Sequence, residues 1–117
     1  MLKGESPTIF GDGEQTRDFT YVSNVVEANI LASKAQGVSG EVFNIACGER
    51  TTVNSLASNL NEILKEEIKP SYAEPRPGDV RDSFGDLSKA RKMLKYEPMV
   101  PFGKGLEDTI RWYRERK

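Results

Sequence analysis

The segment at residues 41–47, with the sequence EVFNIAC, places the strongest constraint on the fold of this chain. Its nearly continuous apolar run is typical of a β-strand that is covered on both faces, as in a parallel sheet. Gly40 and Gly48 flank the run and mark turns there. Strand-like and helix-like patterns alternate along the rest of the chain. We therefore expect an α/β fold, arranged as α+β at this length, in which short strands alternate with helices.

Two helical patterns flank this strand. The first covers about 24–36, with Ser23 as its expected N-cap. Its apolar residues surround most of the circumference, and we therefore predict that this helix is largely buried. The second begins after Thr51 or Thr52, either of which can act as its cap. Its apolar residues recur at i, i+3, i+4, i+7, i+10 and i+11, which indicates an amphipathic helix: Val53, Leu56, Ala57, Leu60, Ile63 and Leu64.

The remaining predicted elements are short. Strands are expected at 8–10, 17–22 and 68–73, a helix capped by Asp86 at about 87–94, and a last helix from about Gly105. A turn at 11–13, with the sequence GDG, follows the first strand. The sequence PRPG at 75–78 predicts a stiff loop, because each proline fixes its own φ and restricts the residue before it.

Length and charge limit the kind of protein this is. The 117 residues suffice for one compact domain with a core and are too few for two, so we expect a single domain over 1–117. Seventeen basic residues stand against 18 acidic ones, a formal net charge of −1. This balance provides no long-range attraction for nucleic acids or anionic membranes, and we expect neither as a partner.

The absence of histidine excludes histidine general bases and the serine–histidine and cysteine–histidine nucleophile pairs. Cys47 is the single cysteine, which excludes an internal disulfide and a cysteine-rich zinc site. We expect no bound metal, and we interpret Cys47 as a small buried residue. No apolar run approaches the roughly 18 residues of a membrane helix, and the polar start does not resemble a secretion signal. We therefore expect a cytoplasmic protein.

Two segments combine arginines with turn residues: GDGEQTRDFTYV at 11–22 and RPGDVRD at 76–82. An arginine at the edge of a rigid loop presents a planar fork of donors that suits phosphate oxygens. Asp79, three residues after Arg76, has a carboxylate that can accept hydrogen bonds from ribose hydroxyls. The alternative is an ordinary surface ion pair, as between Arg17 and Asp18, and the spacing by itself favours that alternative.

The run IFGDGEQTRDFTYVSNVVEA at 9–28 resembles the segment that opens the substrate domain in the NAD-dependent epimerase/dehydratase family, the UDP-glucose 4-epimerase-like extended short-chain dehydrogenases. Four further segments resemble that family in the same order: FNIACGERTTVNSLA at 43–57, RPGDVRDSFGDLSKARKML at 76–94, YEP at 96–98 and GLEDTIRWY at 105–113. Five segments in order cover nearly the whole chain, so the resemblance is specific.

The resemblance implies roles for five residues. Arg17 and Arg76 would contact the diphosphate or the adjacent ribose of a nucleoside-diphosphate sugar, and Asp79 would bind ribose hydroxyls. The backbone near Phe10 would line the base pocket, and Phe19 would lie close to the ribose. For both phenylalanines, ordinary core packing is an equally good interpretation. The resemblance assigns no catalytic residue to this chain.

The parts of the family that perform the chemistry have no counterpart here. The family binds NAD at a glycine-rich turn that opens a helix, and its proton-transfer tyrosine is followed four positions later by lysine; the chain has no such glycine run. Tyr113 and Lys117 have the tyrosine–lysine spacing, but they lie in the terminal helix, and we interpret the match as chance. We expect a truncated gene product or excised domain without the amino-terminal NAD-binding domain. Such a chain would bind no NAD and would be inactive alone.

The expected parent is a UDP-sugar 4-epimerase that works through transient oxidation at C4 by bound NAD, and a homodimer at full length. Phe19 after Arg17 and Asp18 favours an epimerase over two relatives, a 4,6-dehydratase and a UDP-glucuronate decarboxylase. From another class, the chain is a stand-alone binding or interaction module. Three positions depart from the family's usual residues: Asn24 replaces a frequent acid, Ala46-Cys47 replaces glycine-serine, and Lys95 replaces a glycine after a helix. If Lys95 is left-handed, it costs roughly 1 kcal/mol relative to glycine.

Overall fold

The computed structural model describes residues 1–116, and these form two compact units. Unit 1 consists of Met1–Arg17 and Arg50–Ser83, and unit 2 consists of Asp18–Glu49 and the described residues from Phe84 onward. Eight elements follow in chain order: β1 (Thr8–Phe10), β2 (Thr16–Arg17), α1 (Val22–Lys34), β3 (Thr51–Thr52), α2 (Val53–Leu64), β4 (Ser71–Ala73), α3 (Ser88–Leu94) and α4 (Phe102–Glu115). None of these helices is both long and apolar enough to cross a membrane.

Unit 1 contains β1, β2, β3, α2 and β4. Strands β1 and β4 pair in parallel, with Thr8 opposite Ser71 and Phe10 opposite Ala73. Strands β2 and β3 form a short antiparallel pair. The parallel pair confirms a mixed α/β chain, and the strand at 8–10 has the predicted bounds. The strand predicted at 68–73 is shorter, because only its last three residues pair with β1.

Helix α2 confirms the strongest helical pattern of the sequence. The Thr52 hydroxyl accepts a hydrogen bond from the Ser55 N–H, as expected of an N-cap. Lys65, just past the last turn, is left-handed with φ 57° and ψ 46°. The helix therefore begins with side-chain capping and ends with a backbone conformation that usually favours glycine.

The core of unit 2 is formed by small and aliphatic side chains around one buried tyrosine. Its buried members come from α1, the segment before Gly48, and α3 with its flanks: Ala28, Ala46, Leu87, Ala90, Leu94 and Tyr96. The Tyr96 hydroxyl donates to the Ala46 carbonyl at 2.8 Å, so this buried polar group is satisfied. Burial also raises the pKa of Tyr96.

The prediction of a strand at 41–47 is wrong for the described chain. These residues belong to no strand, and Val42 is 80% exposed. A strand requires a neighbour for its ladder of hydrogen bonds, and within residues 1–116 the segment has none. Its end is held by other groups, since the Asp18 carboxylate accepts hydrogen bonds from the N–H groups of Cys47 and Gly48.

The prediction that the first helix is largely buried is also wrong. Helix α1 buries Asn24 and Ala28, whereas its valines and an isoleucine lie at the surface: Val22 (64% exposed), Val25 (37%), Val26 (51%) and Ile30 (41%). The helix packs through one face only, so the opposite apolar face stays open. Ser23 does not cap the helix, because α1 already begins at Val22 and its N-cap, Tyr21, makes no side-chain capping bond.

Three boundaries differ from the sequence prediction. The strand expected at 17–22 is reduced to Thr16–Arg17, because Asp18 leaves the ladder to bind backbone N–H groups. The last helix begins at Phe102 rather than Gly105, since the Gly105 N–H already donates to the Pro101 carbonyl. Helix α3 begins at Ser88 with Leu87 as its N-cap, so the prediction that Asp86 caps the helix is wrong by one position, although the Asp86 carboxylate accepts from the Ser88 N–H at 2.9 Å.

Candidate functional site

A pocket of about 450 Å³ lies within unit 1. One wall consists of the end of β1 and the turn that follows it, and the other consists of the segment after β4. The lining residues are Phe10, Gly11, Asp12, Gln15, Arg17, Ala73, Glu74, Pro75, Asp79, Val80 and Arg81. The volume falls in the range of pockets that hold small organic ligands.

The parallel pairing of β1 and β4 creates this pocket. Both strands point the same way, so their carboxyl ends meet at one edge and the chain leaves the sheet there twice. The Gly11 N–H donates to the Ala73 carbonyl at 2.9 Å, which ties the two departing segments together. Gly11 has φ 92°, a conformation that L-residues with a side chain rarely adopt.

Arg76, Phe10 and Asp79 form a group beside the pocket. The guanidinium carbon of Arg76 lies 4.4 Å from the centroid of the Phe10 ring. The Arg76 Nε lies 3.6 Å from an Asp79 carboxylate oxygen, and the Asp79 N–H donates to the Arg76 carbonyl. Both charged side chains are about half exposed or more, so this ion pair contributes little to stability and leaves the charges open to a ligand.

Arg17 lines the same pocket and binds the opposite wall. Its Nη1 donates to the Thr16 carbonyl at 2.7 Å and to the Arg81 carbonyl at 3.3 Å, and its Nη2 donates to the Val80 carbonyl at 2.8 Å. A guanidinium has five N–H donors, so these three bonds leave two for a ligand. The structure thus brings Arg17 and Asp79 to one cavity, and contact with a diphosphate stays a prediction.

Asp12 and Arg81 join the two walls by an ion pair. The Arg81 Nη1 lies 2.8 Å from Asp12 Oδ1, which also accepts from the Glu14 N–H. The hydrogen bond from Arg81 lowers the pKa of Asp12, and the same contact raises the pKa of Arg81. Sequence reasoning did not assign Asp12 or Arg81, although both lie in the two arginine-containing segments that it singled out.

Gln15 was also missed, and it supports the floor of the pocket. Its Nε2 donates to the Phe10 carbonyl at 2.9 Å. Its Oε1 is buried and has no hydrogen-bond partner among residues 1–116. Because Gln15 occupies the carbonyl of Phe10, the orientation of the Phe10 peptide is fixed before any ligand binds.

Phe19 belongs to unit 2, whereas the other four residues with implied roles belong to unit 1. Its ring centroid is 5.6 Å from that of Phe102, with the planes tilted by 33°. This contact agrees with the packing interpretation, and a role beside a ribose stays a prediction. Of the tyrosine–lysine pair with catalytic spacing, Tyr113 is 54% exposed at the end of α4 and Lys117 lies outside the described residues.

Two departures from the family's usual residues have structural explanations in unit 2. Asn24 is 2% exposed, donates to the Val100 carbonyl at 2.8 Å and accepts from the Val100 N–H at 3.0 Å. An amide does both, whereas an ionised acid only accepts. Cys47 is 6% exposed and burial raises its pKa, which confirms the small buried residue. Lys95 is left-handed, with φ 55° and ψ 33°, as the sequence suggested.

Known proteins match this chain along nearly its whole length. The family model for GDP-mannose 4,6 dehydratase matches residues 1–109. A putative UDP-glucose 4-epimerase of Methanocaldococcus jannaschii is 38% identical over 118 residues, covering 97% of this chain and 36% of that protein. UDP-glucose 4-epimerase of Mycolicibacterium smegmatis is 33% identical, covering 99% and 37%.

A solved structure shows the same architecture. UDP-glucose 4-epimerase from Thermotoga maritima, crystallised with UDP-glucose, superposes with a TM-score of 0.93 at 46% identity and covers 99% of this chain and 37% of its own. The chain therefore spans about a third of the length of the relatives that it matches. Sequence and structure agree on one conclusion: this chain belongs to the NAD-dependent epimerase/dehydratase family of extended short-chain dehydrogenases.

Proposed function

We propose that this chain is the carboxy-terminal, nucleotide-sugar-binding portion of an NAD-dependent 4-epimerase that acts on a UDP-sugar. The observation that carries the proposal is the pocket of unit 1, where Arg17 and Asp79 line one cavity and Arg76 lies beside it against Phe10. These residues come from separate parts of the sequence, and the parallel strands bring them together. The UDP-sugar epimerases among the relatives support the choice of reaction and of base.

The chemistry of the pocket suits the parts of a nucleoside diphosphate. An ionised Asp79 only accepts hydrogen bonds, as ribose hydroxyls require. The guanidinium of Arg76 presents a planar fork that matches phosphate oxygens, and the two remaining donors of Arg17 reinforce it. The backbone near Phe10 and Gly11 lies at the carboxyl end of a parallel strand, where ligands bind in α/β sheets. A base there would be bound through groups other than the Phe10 carbonyl and the Gly11 N–H, which are bonded to Gln15 and Ala73.

The residues of this chain do not fit NAD. A dinucleotide's pyrophosphate is bound where a glycine-rich turn leads from a strand into the N-terminus of a helix. The glycine turn that follows β1 leads into β2 instead, and the four described helices begin at other N-caps: Tyr21, Thr52, Leu87 and Pro101. In the whole enzyme, NAD would supply the transient oxidation at C4. This chain binds the nucleotide part of the substrate, which does not react, and that binding energy supports catalysis at the sugar.

Unit 2 supports the proposal that a further domain covers part of this chain. The face of helix α1 that bears Val22 and Val26 is exposed to solvent. The apolar segment 41–47 has no partner strand within the described residues. Burial of apolar surface stabilises by about 25 cal/mol per Å², so such faces favour a cover. We propose that the amino-terminal NAD-binding domain of the complete enzyme is this cover, and that the complete enzyme is a homodimer.

A 4,6-dehydratase is the second candidate, and the matched family model favours it, because that model describes GDP-mannose 4,6 dehydratase. A UDP-glucuronate decarboxylase is a further candidate, because it shares the substrate-domain architecture of the epimerases and dehydratases. The base and sugar that bind most tightly distinguish these candidates from a UDP-sugar 4-epimerase.

The test of ligand class is an NMR titration of the labelled chain with UDP-, TDP- and GDP-sugars. We expect UDP-sugars to shift the amide signals of Gly11 and of residues 79–81 most strongly. Uridine, which lacks the diphosphate, should bind much more weakly and separates the contribution of the base from that of the phosphates. Shifts confined to unit 2, or the absence of any saturable shift, would contradict the proposed function.

A turnover assay tests the division of labour. With added NAD, the purified chain should not epimerise UDP-glucose or UDP-N-acetylglucosamine; turnover would show that the chain contains catalytic groups that we do not assign. The gene distinguishes the enzyme from a stand-alone binding module. A glycine-rich fingerprint and a tyrosine–lysine pair in frame upstream of Met1 would favour the enzyme, and their absence would favour the module.

A further inference from the structure

One side chain outside the pocket lining, Asn54, is bonded to the turn after β1 and to strand β4, the two segments that lead into the pocket walls. Its Nδ2 donates to the Asp12 carbonyl at 3.0 Å and to a Glu14 carboxylate oxygen at 2.6 Å. Its Oδ1 accepts from the Tyr72 hydroxyl at 2.8 Å. Its backbone N–H donates to the Gly13 carbonyl at 2.9 Å. The amide of Asn54 therefore uses both its donor and its acceptor on groups of the site.

These partners belong to the two segments that lead into the pocket walls, and Asp12 itself lines the pocket. Asp12 and Glu14 belong to the turn that follows β1, whereas Tyr72 is the middle residue of β4, directly before the Ala73–Pro75 wall. A planar amide holds a donor and an acceptor in a fixed geometry. Asn54, near the start of α2, thus fixes the distance between the turn and the strand that lead into the two walls.

The Asn54 side chain packs closely against the backbone of Gly13. A Cβ on Gly13 would lie 2.0 Å from Asn54 Oδ1 and 2.5 Å from its Cγ, distances that no real Cβ shows. Gly13 also has φ 78°, which disfavours a side chain independently. The first N–H groups of α2 are bonded to the turn as well, since the Val53 N–H donates to the Gln15 carbonyl. The turn is therefore held against the helix by several contacts.

We propose that Asn54 is a positioning residue for nucleotide binding, which sets the separation of the two pocket walls without touching the ligand. The inference rests on the proposed function, because it takes the ligand to be a nucleoside diphosphate. A merely structural anchor would lower the stability of the chain and leave the affinity of the folded chain unchanged. A positioning residue changes the affinity of the folded chain.

The test compares Asn54→Ala with Asn59→Ala. Asn59 is the matched control, because it lies in the same helix and, among the residues that the structure describes, its amide donates to the Ser55 carbonyl of that helix alone, at 2.7 Å. UDP is the probe, and calorimetric titration is carried out at a temperature where both variants are folded. We expect Asn54→Ala to weaken UDP binding about tenfold, the effect of one or two misplaced hydrogen bonds, and Asn59→Ala to leave it within about twofold.

Two further variants keep the proposal testable if Asn54→Ala does not fold. Tyr72→Phe removes one bond to Asn54 and should weaken UDP binding by a smaller factor. Asn54→Asp keeps the acceptor for Tyr72 but places a carboxylate against Glu14, and it should bind UDP as weakly as the alanine variant. Adding Glu14→Gln to Asn54→Asp supplies a donor again and should restore part of the affinity.

The outcomes separate this inference from the proposed function. If wild type and Asn59→Ala bind UDP and the folded Asn54 variants bind it equally well, Asn54 has no positioning role and the proposed function stands. If the wild-type chain fails to bind UDP, TDP and GDP alike, the proposed function is wrong and this inference is overturned with it. A loss of affinity in the Asn54 variants, with recovery in the double variant, supports the inference.

Discussion

The guanidinium of Arg76 lies over the face of the Phe10 ring, with 4.4 Å between the guanidinium carbon and the ring centroid. At an exposed site, such a cation–π contact stabilises by about 0.5–1 kcal/mol. It holds a flexible side chain, 66% exposed, beside the pocket before a ligand arrives. An arginine placed in advance loses less conformational entropy on binding, which strengthens its contribution to affinity.

Arg76→Ala should therefore weaken nucleotide-sugar binding by about 1.5–3 kcal/mol, the range for a hydrogen bond to a charged group. Arg76→Lys should recover only part of the loss, because an ammonium cannot make a bidentate contact. Calorimetric titration measures both effects. Arg91→Ala is the control, since Arg91 pairs with Glu97 in unit 2, 2.9 Å apart. Equal affinities of wild type and Arg76→Ala would remove Arg76 from the site.

Arg17→Ala should reduce both stability and affinity, unlike Arg76→Ala. Its guanidinium bonds the Val80 and Arg81 carbonyls, so its loss should lower the free energy of unfolding by about 1.5–3 kcal/mol. Denaturant titration and ligand titration measure the two effects separately. If both arginines grip the same phosphates, the double alanine variant should lose less affinity than the sum of the singles. Strict additivity would indicate separate binding sites.

The Asp12–Arg81 ion pair should respond to acid. Because Arg81 lowers the pKa of Asp12, the ionised form stabilises the folded state above the unfolded pKa. This stabilisation should disappear as the pH falls through the lower pKa of the folded state. Arg81→Gln should move the Asp12 pKa back up, as measured by NMR titration of the carboxyl carbon. Lys104→Ala is the control: it should raise the pKa of Asp108, which Lys104 lowers, and leave the pKa of Asp12 unchanged. An unaltered Asp12 pKa in Arg81→Gln would refute the assignment.

Lys95→Gly should stabilise the chain by about 1 kcal/mol. Lys95 is left-handed at the end of α3, with φ 55°, a conformation that costs a residue with a side chain more than glycine. Lys92→Gly is the matched control inside the same helix, and it should destabilise by a similar amount, because glycine is a poor helix former. Thermal unfolding measures both. A Lys95→Gly variant that melts below wild type would contradict the prediction.

The open face of α1 should make the isolated chain marginally stable or prone to self-association. Val26 is 51% exposed, so Val26→Lys should reduce association without loss of fold, whereas Ala28→Lys, at 3% exposure, should unfold the chain. Sedimentation at several concentrations measures association. A wild-type chain that stays monomeric at high concentration and melts sharply above roughly 65 °C would contradict this expectation.

Local patterns determined much of this protein. The spacing of apolar residues predicted α2, and Thr52 caps it as expected. The PRPG loop at 75–78 contains no helix or strand, and Lys95 takes the left-handed conformation expected after a helix. These features depend on residues within one or two turns of each other, so their physical causes are present in short stretches of sequence.

Other features depend on what each segment packs against. The apolar run 41–47 predicted a strand, but a strand requires a neighbour for its hydrogen bonds and none lies within residues 1–116. Helix α1 is apolar on most sides, and its sequence could not indicate that the side bearing Asn24 would be the buried one. Hydrophobic pattern identifies apolar surfaces, whereas burial also requires a partner surface.

In the pocket too, some features could be predicted from the sequence, whereas others depend on the tertiary structure. The sequence marked Arg17, Arg76 and Asp79 as candidate ligands through the family resemblance of their segments, because the spacing of arginines and turn residues by itself favoured ordinary surface ion pairs. The tertiary structure decided that Arg17 binds the carbonyl of Val80, 63 positions away, and that Asn54 links the turn after β1 to strand β4. Such contacts arise only when the parallel pairing of β1 and β4 brings distant segments to one edge, and the pattern of nearby residues does not encode that distance.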